Sequence, residues 1–158
     1  MLLALLVAGP YFGAGAYFVR PSESVADRSA ALSLELGYQW KHALASLTAL
    51  GTIGTGNMNT TLVAVKGAWI ITDTPVAPFI GIGVGVFAQS LHCDPVRGCD
   101  GFSKSAAGSV AEAGVLLFRH AIASVQLIGP FERVQPAIFP AVEATPIPLL
   151  LIGFRVLG

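Results

Sequence analysis

Four charged side chains have the first claim to chemistry in this chain: Glu35, Lys66, Glu112 and Arg155. Each lies inside an apolar, alternating stretch, whereas the rest of the nine acids and nine bases fall between such stretches. Ionisable groups held in an apolar environment are candidates for an ion or proton path. Two acids with two bases also neutralise one another, as a buried set must to offset its desolvation. They are therefore read as a structural plug, with Gln39 and Gln126 as further hydrogen-bonding partners. A second group is Cys93 and Cys99 in Cys-Asp-Pro-Val-Arg-Gly-Cys, with His92, Asp94 and Asp100 nearby. In an oxidising compartment the two cysteines are expected to form a loop disulfide. Zinc would need the spaced ligand pairs of a structural site, which this segment lacks. His120 and Ser124 are the one base and nucleophile on a common strand face. Four strand residues span about 13 Å, far beyond the reach of a catalytic hydrogen bond. The glycine strings Gly81-Ile-Gly83-Val-Gly85 and Gly51-Thr-Ile-Gly54-Thr-Gly56 open no amphipathic helix and have no lysine at a phosphate-loop offset. No enzyme, metal or cofactor is expected.

The environment that must hold these residues is set by composition. The chain is 54% hydrophobic and 11% charged, where soluble domains carry about 25% charge. Its net charge of zero leaves no general field for nucleic acid. Lipid is the better solvent, and lipid admits only helix bundles or closed barrels, because every backbone group must be satisfied internally. A spanning helix needs about 20 apolar residues and a tilted strand about 9–11. The apolar runs are shorter than a helical span and contain many of the 18 glycines, so length favours strands.

Period-two alternation is clearest over 30–40, with Leu32, Leu34, Leu36, Tyr38 and Trp40 on one face and Ser33, Glu35, Gly37 and Gln39 on the other. It recurs over 78–90, where Ile80, Ile82, Val84 and Val86 oppose Phe79, Gly81, Gly83, Gly85, Phe87 and Gln89. Further strands are predicted over 11–19, 42–52, 60–72, 106–118, 120–130 and 147–157, with 42–52 alternating least. Connections alternate between short turns and the longer segments 20–29, 53–59, 91–105 and 131–146. An up-and-down barrel with an even strand number then gathers the short turns and both termini at one rim. The four charges have the parity opposite the apolar face, so they point into the lumen. A charge facing lipid at mid-depth would cost roughly 2–4 kcal/mol. Phe12, Phe18, Tyr38, Trp40, Trp69, Phe118 and Phe131 fall toward strand ends, where interfacial girdles belong.

Residues 1–9 are apolar without alternation and read as a signal-peptide remnant, leaving 10–158 as the barrel domain. Pro10-Tyr-Phe-Gly-Ala-Gly-Ala-Tyr-Phe18, Pro78-Phe-Ile-Gly-Ile-Gly-Val-Gly-Val86 and Leu149-Leu-Leu-Ile-Gly-Phe-Arg-Val-Leu157 carry a resemblance to the small eight-stranded outer-membrane barrel family. Its types are the outer-membrane protein A membrane domain and the opacity-like surface proteins. Members usually finish on an aromatic residue, whereas here the final residues are Val156-Leu157-Gly158. The resemblance implies an all-β, eight-stranded antiparallel up-and-down transmembrane β-barrel in the bacterial outer membrane. The expected protein is a monomer in outer-membrane lipid. It acts through its surface loops on an extracellular ligand or partner, in envelope integrity, adhesion or recognition. Three alternatives stand beside it: a narrow channel for water or small solutes, a soluble lipocalin-like barrel with the apolar face inward, and a helical membrane protein spanning at 138–158.

Overall fold

A computed structural model describes residues 8–21, 28–53, 57–92, 102–131 and 148–158. Eight strands are present: β1 (Gly9–Pro21), β2 (Ser29–Gln39), β3 (Ala43–Ile53), β4 (Met58–Ile70), β5 (Val76–Leu91), β6 (Phe102–Leu117), β7 (Ala121–Pro130) and β8 (Leu149–Leu157). They form one closed barrel in sequence order. Every neighbouring pair is antiparallel, and β8 closes on β1. At that seam Phe12 and Gly158 exchange two backbone hydrogen bonds, of 3.1 and 2.8 Å. Closure leaves no free sheet edge along the wall, as a spanning sheet requires.

All eight predicted strands are found, and the long aliphatic face points outward. Leu32, Leu34 and Leu36 are exposed while Ser33 and Glu35 are buried; Ile82 is 77% exposed while Phe79 and Phe87 are sealed inside. A soluble ligand-binding barrel buries its apolar face, so the lipocalin-like alternative is overturned. A helical membrane protein is overturned as well, since 149–157 is strand β8. Strand β3 alternates weakly in sequence because both of its faces are apolar in part. Leu44 and Leu50 point inward at the two ends of the lumen, while Leu47 and the small Ala45 and Ala49 point outward.

At two strand ends the difference from the sequence reading brings in a charged residue. β1 runs on to Pro21 and so includes Arg20, and β6 starts at Phe102 and so includes Lys104. Lys104 has lumenal parity. Arg20 does not: it is exposed on the outward face, where Phe12 and Phe18 also lie. Arg20, which the sequence reading leaves in the 20–29 connection, is thus a strand residue that carries its charge outward. The outward-face pattern weakens where a strand leaves the apolar zone, which is why these ends escape a periodicity test.

Inside, side chains fill the barrel in three storeys. At the short-turn end Tyr11, Leu44, Ile70, Ala77, Phe79, Leu116, Ile122 and Leu157 pack together. At the opposite end a second apolar cluster includes Tyr17, Met58, Leu62, Phe87, Ile128 and Leu151. Polar residues occupy the level between. Eight strands enclose an interior just wide enough for side chains to fill, and both apolar plugs follow from that diameter.

The short turns are also joined to each other. Arg119 donates to Asp73 and, at 3.3 Å, to the carbonyl of Lys41, while the Lys41 ammonium lies 3.4 Å from Asp73. These three residues belong to the β6–β7, β4–β5 and β2–β3 turns. In the first of these, His120 donates to the Leu117 carbonyl at 3.0 Å, with Phe118 and Arg119 at φ of 49° and 63°. Two-residue hairpins favour such left-handed pairs, usually with Asn and Gly. Side chains at both positions make this turn strained.

Candidate functional site

The middle storey holds a closed ring of four charges: Glu35 from β2, Lys66 from β4, Glu112 from β6 and Arg155 from β8. In small barrels, inward residues from alternate strands stack in a layer, and this layer is drawn wholly from the even strands. Lys66 Nζ lies 3.3 Å from Glu35 Oε2 and 3.2 Å from Glu112 Oε2. Across the ring Arg155 donates one Nη to Glu35 and the other to Glu112. Each carboxylate thus bridges both cations, and all four side chains are buried.

Odd strands complete the shell. Tyr11 donates to Glu35 Oε1 at 2.6 Å, and Thr48 donates to Oε2 at 3.3 Å. Gln126 donates to Glu112 Oε1 at 3.0 Å and to the Tyr17 hydroxyl at 3.2 Å. Gln39 is also buried on the lumenal side, but it stands apart from the ring, and its Nε2 has no partner among the described residues. Tyr11, Tyr17 and Thr48 are ring partners that sequence reading missed. Parity alone does not say at what height a side chain lies.

The space for the ring comes from glycine. Each charged residue sits directly across a ladder from one: Glu35 from Gly13, Arg155 from Gly15, Glu112 from Gly81 and Lys66 from Gly83. A Cβ at Gly15 would fall on the Arg155 stem, and one at Gly83 would lie 2.8 Å from Lys66 Cγ. Gly15 and Gly83 are therefore sockets for the long lumenal side chains of Arg155 and Lys66. β1 and β5 present the same run, proline, aromatic, any residue, glycine, any residue, glycine, at Pro10–Gly15 and Pro78–Gly83. Their glycines oppose an acid on the following strand and a base on the preceding one. The ring thus has an approximate twofold relation between β1–β4 and β5–β8. That repeated run is the sequence signal that marks the ring's height.

Chemically the ring is charge-balanced, with Arg155 Nε its one buried donor without a partner among the described residues. Neither carboxylate is free to act as a general base, and both cations are engaged. Ser124 is buried toward the lumen with no partner for its hydroxyl among the described residues, while His120 is exposed in the β6–β7 turn. The two do not meet. Among the described residues no group of His, Cys, Asp or Glu is arranged to hold a metal. Cys93, Cys99, Asp94 and Asp100 lie outside the described residues. Residues 1–7 of the expected signal remnant also lie outside them.

The barrel and its outward apolar face define the class: the chain has the fold of the small eight-stranded outer-membrane β-barrels. It is similar to neisserial surface protein A, with a TM-score of 0.65 at 14% identity, over 94% of this chain and 96% of that one. It is also similar to the N-terminal barrel of Pseudomonas aeruginosa OprF, with a TM-score of 0.60 at 10% identity, over 96% and 100% of the two chains. For Pseudomonas aeruginosa OprG the TM-score is 0.53 at 14% identity, over 96% of each chain. No family model matches the chain, and no curated protein matches it in sequence.

Proposed function

We propose that this protein is a monomeric barrel of the bacterial outer membrane whose lumen is shut and whose work is done by its loops, in envelope integrity, adhesion or recognition. The observation that carries the reading is the three-storey filling of the lumen. An apolar plug at each end encloses a neutral ring, so a solute would have to displace both plugs and break four ion pairs. Outward Leu, Ile and Val side chains support immersion in lipid, and the likeness in fold to outer-membrane barrels supports the compartment. The turn rim would then face the periplasm and the longer loops the exterior. Loops on a rigid scaffold are where recognition commonly resides. In the loop between β5 and β6, Cys93 and Cys99 would close a disulfide that stiffens this surface. We infer no reaction, because the ring leaves no free acid, base or nucleophile positioned for one.

The test is conductance in a planar bilayer. A filled lumen predicts no steps above the lipid baseline for the refolded protein, with insertion verified by heat-modifiable migration on the same sample. Reproducible steps from verified barrels would favour the narrow-channel reading instead.

A further inference from the structure

Arg20 is the one charged residue on the outward face of the eight strands among the described residues. The β1–β2 ladder ends with Val19 opposite Ser29, and continuing that register by one residue sets Arg20 opposite Arg28. Both arginines are exposed, and neither has an acidic partner among the described residues. Like charges placed directly across a strand pair repel, and an anion lying between them relieves that repulsion. Beneath them on the same face is Phe18, 79% exposed, with Leu150 across the β1–β8 ladder from Arg20. The pair stands at the loop end of the wall, where the apolar face gives way to polar surface. A cationic pair above an apolar wall matches a ligand with an anionic head and a hydrocarbon tail. The guanidinium fork suits phosphate oxygens, which it binds in bidentate fashion.

We propose that Arg20 and Arg28 form a binding site for the phosphate monoester headgroup of a lipid in the outer leaflet. The proposal rests on the outer-membrane reading. A monoester carries more charge and more terminal oxygens than a phosphodiester, so it can engage both forks at once. The site faces the wall, outside the barrel, and is separate from the lumenal ring.

The test uses the full chain refolded into phosphatidylcholine nanodiscs containing a minority of either phosphatidic acid, a monoester, or phosphatidylglycerol, a diester. Native mass spectrometry then counts the lipid retained by the ejected protein. Wild type is expected to retain phosphatidic acid over phosphatidylglycerol, and R20Q/R28Q to lose that retention by about tenfold or more, the scale of one charge-assisted hydrogen bond. K41Q, at the opposite rim, is expected to leave it unchanged. Equal retention by R20Q/R28Q would overturn the site. Loss in K41Q as well would reduce the effect to general charge. Displacement by inorganic phosphate at matched concentration would overturn the lipid assignment. Heat-modifiable migration separates the two levels: its absence sinks the membrane-barrel reading itself, whereas its presence without lipid preference sinks only this site.

Discussion

Lys66 lies directly across the β4–β5 ladder from Gly83, and its side-chain stem occupies the volume that any Cβ at Gly83 would need. On the other side of the lumen Arg155 and Gly15 stand in the same relation. Charge and glycine are thus one device: the long side chain reaches the ring because its neighbour has none.

Overpacking a filled interior costs typically 1–3 kcal/mol. G83A and G15A are each expected to lose about that much, read as a lower midpoint in urea unfolding from detergent micelles. Gly51 and Gly129 meet nothing within 4 Å of an added Cβ, so alanine there should be close to neutral on the same assay.

Breaking a buried ion pair from one side leaves an uncompensated charge, at a cost of about 3–5 kcal/mol. K66M and E112Q are each expected in that range. Combining them removes a base and an acid together, so the double variant should be more stable than the sum of the singles implies. Strict additivity would mean that the ring does not act as a unit.

Asp73 is the titrating member of the rim cluster. The hydrogen bond from Arg119 holds its carboxyl below its ordinary value of 3.8; desolvation opposes this, and Lys41 adds to it. A depressed carboxylate contributes stability that is complete above its unfolded value and is lost as pH falls through its folded one. Wild type should therefore lose stability relative to D73N as pH drops below 3.8. Parallel curves for the two proteins over that window would remove Asp73 from the balance. The difference should be small, because the group is fully exposed and salt screens it.

Trp40 and Trp69 are 44% and 59% exposed at the turn end of the wall. In a membrane that surface is headgroup region. Their fluorescence should be quenched by lipids brominated near the headgroup more than by lipids brominated near the chain terminus. Emission insensitive to either label, from protein verified as folded, would place this face in water.

The barrel was legible because lipid imposes a one-sided rule. Long aliphatic residues such as Leu34, Ile82 and Val84 must point outward, and the pleat then sends Glu35, Gly81 and Gly83 inward. Once each strand's parity is known, closure and the gathering of short turns at one rim follow from connection lengths. Height within the lumen was not legible in the same way. Parity places Gln39 and Glu35 on the same side, yet only Glu35 joins the ring, since four residues along a strand move a side chain by about 13 Å. Tyr11 and Tyr17 were hidden by a different cause: each supplies a ring to an apolar plug and a hydroxyl to the polar storey. Arg20 fell outside the predicted strand 11–19 because a residue level with the headgroups need not be apolar, so alternation gives no sign that β1 continues.

The even-strand origin of the ring bears on how the barrel comes together. Glu35, Lys66 and Glu112 belong to β2, β4 and β6, so a sheet still lacking β8 would hold two carboxylates and one ammonium in this layer. Such a sheet would have a surplus negative charge facing a cleft between β1 and β7. The strand that fills the cleft brings Arg155, the missing cation, and seats it in the space left by Gly15. Closing the wall and neutralising the interior are then a single event. An incomplete sheet is distinguished from a finished barrel by its charge as well as by its open edges.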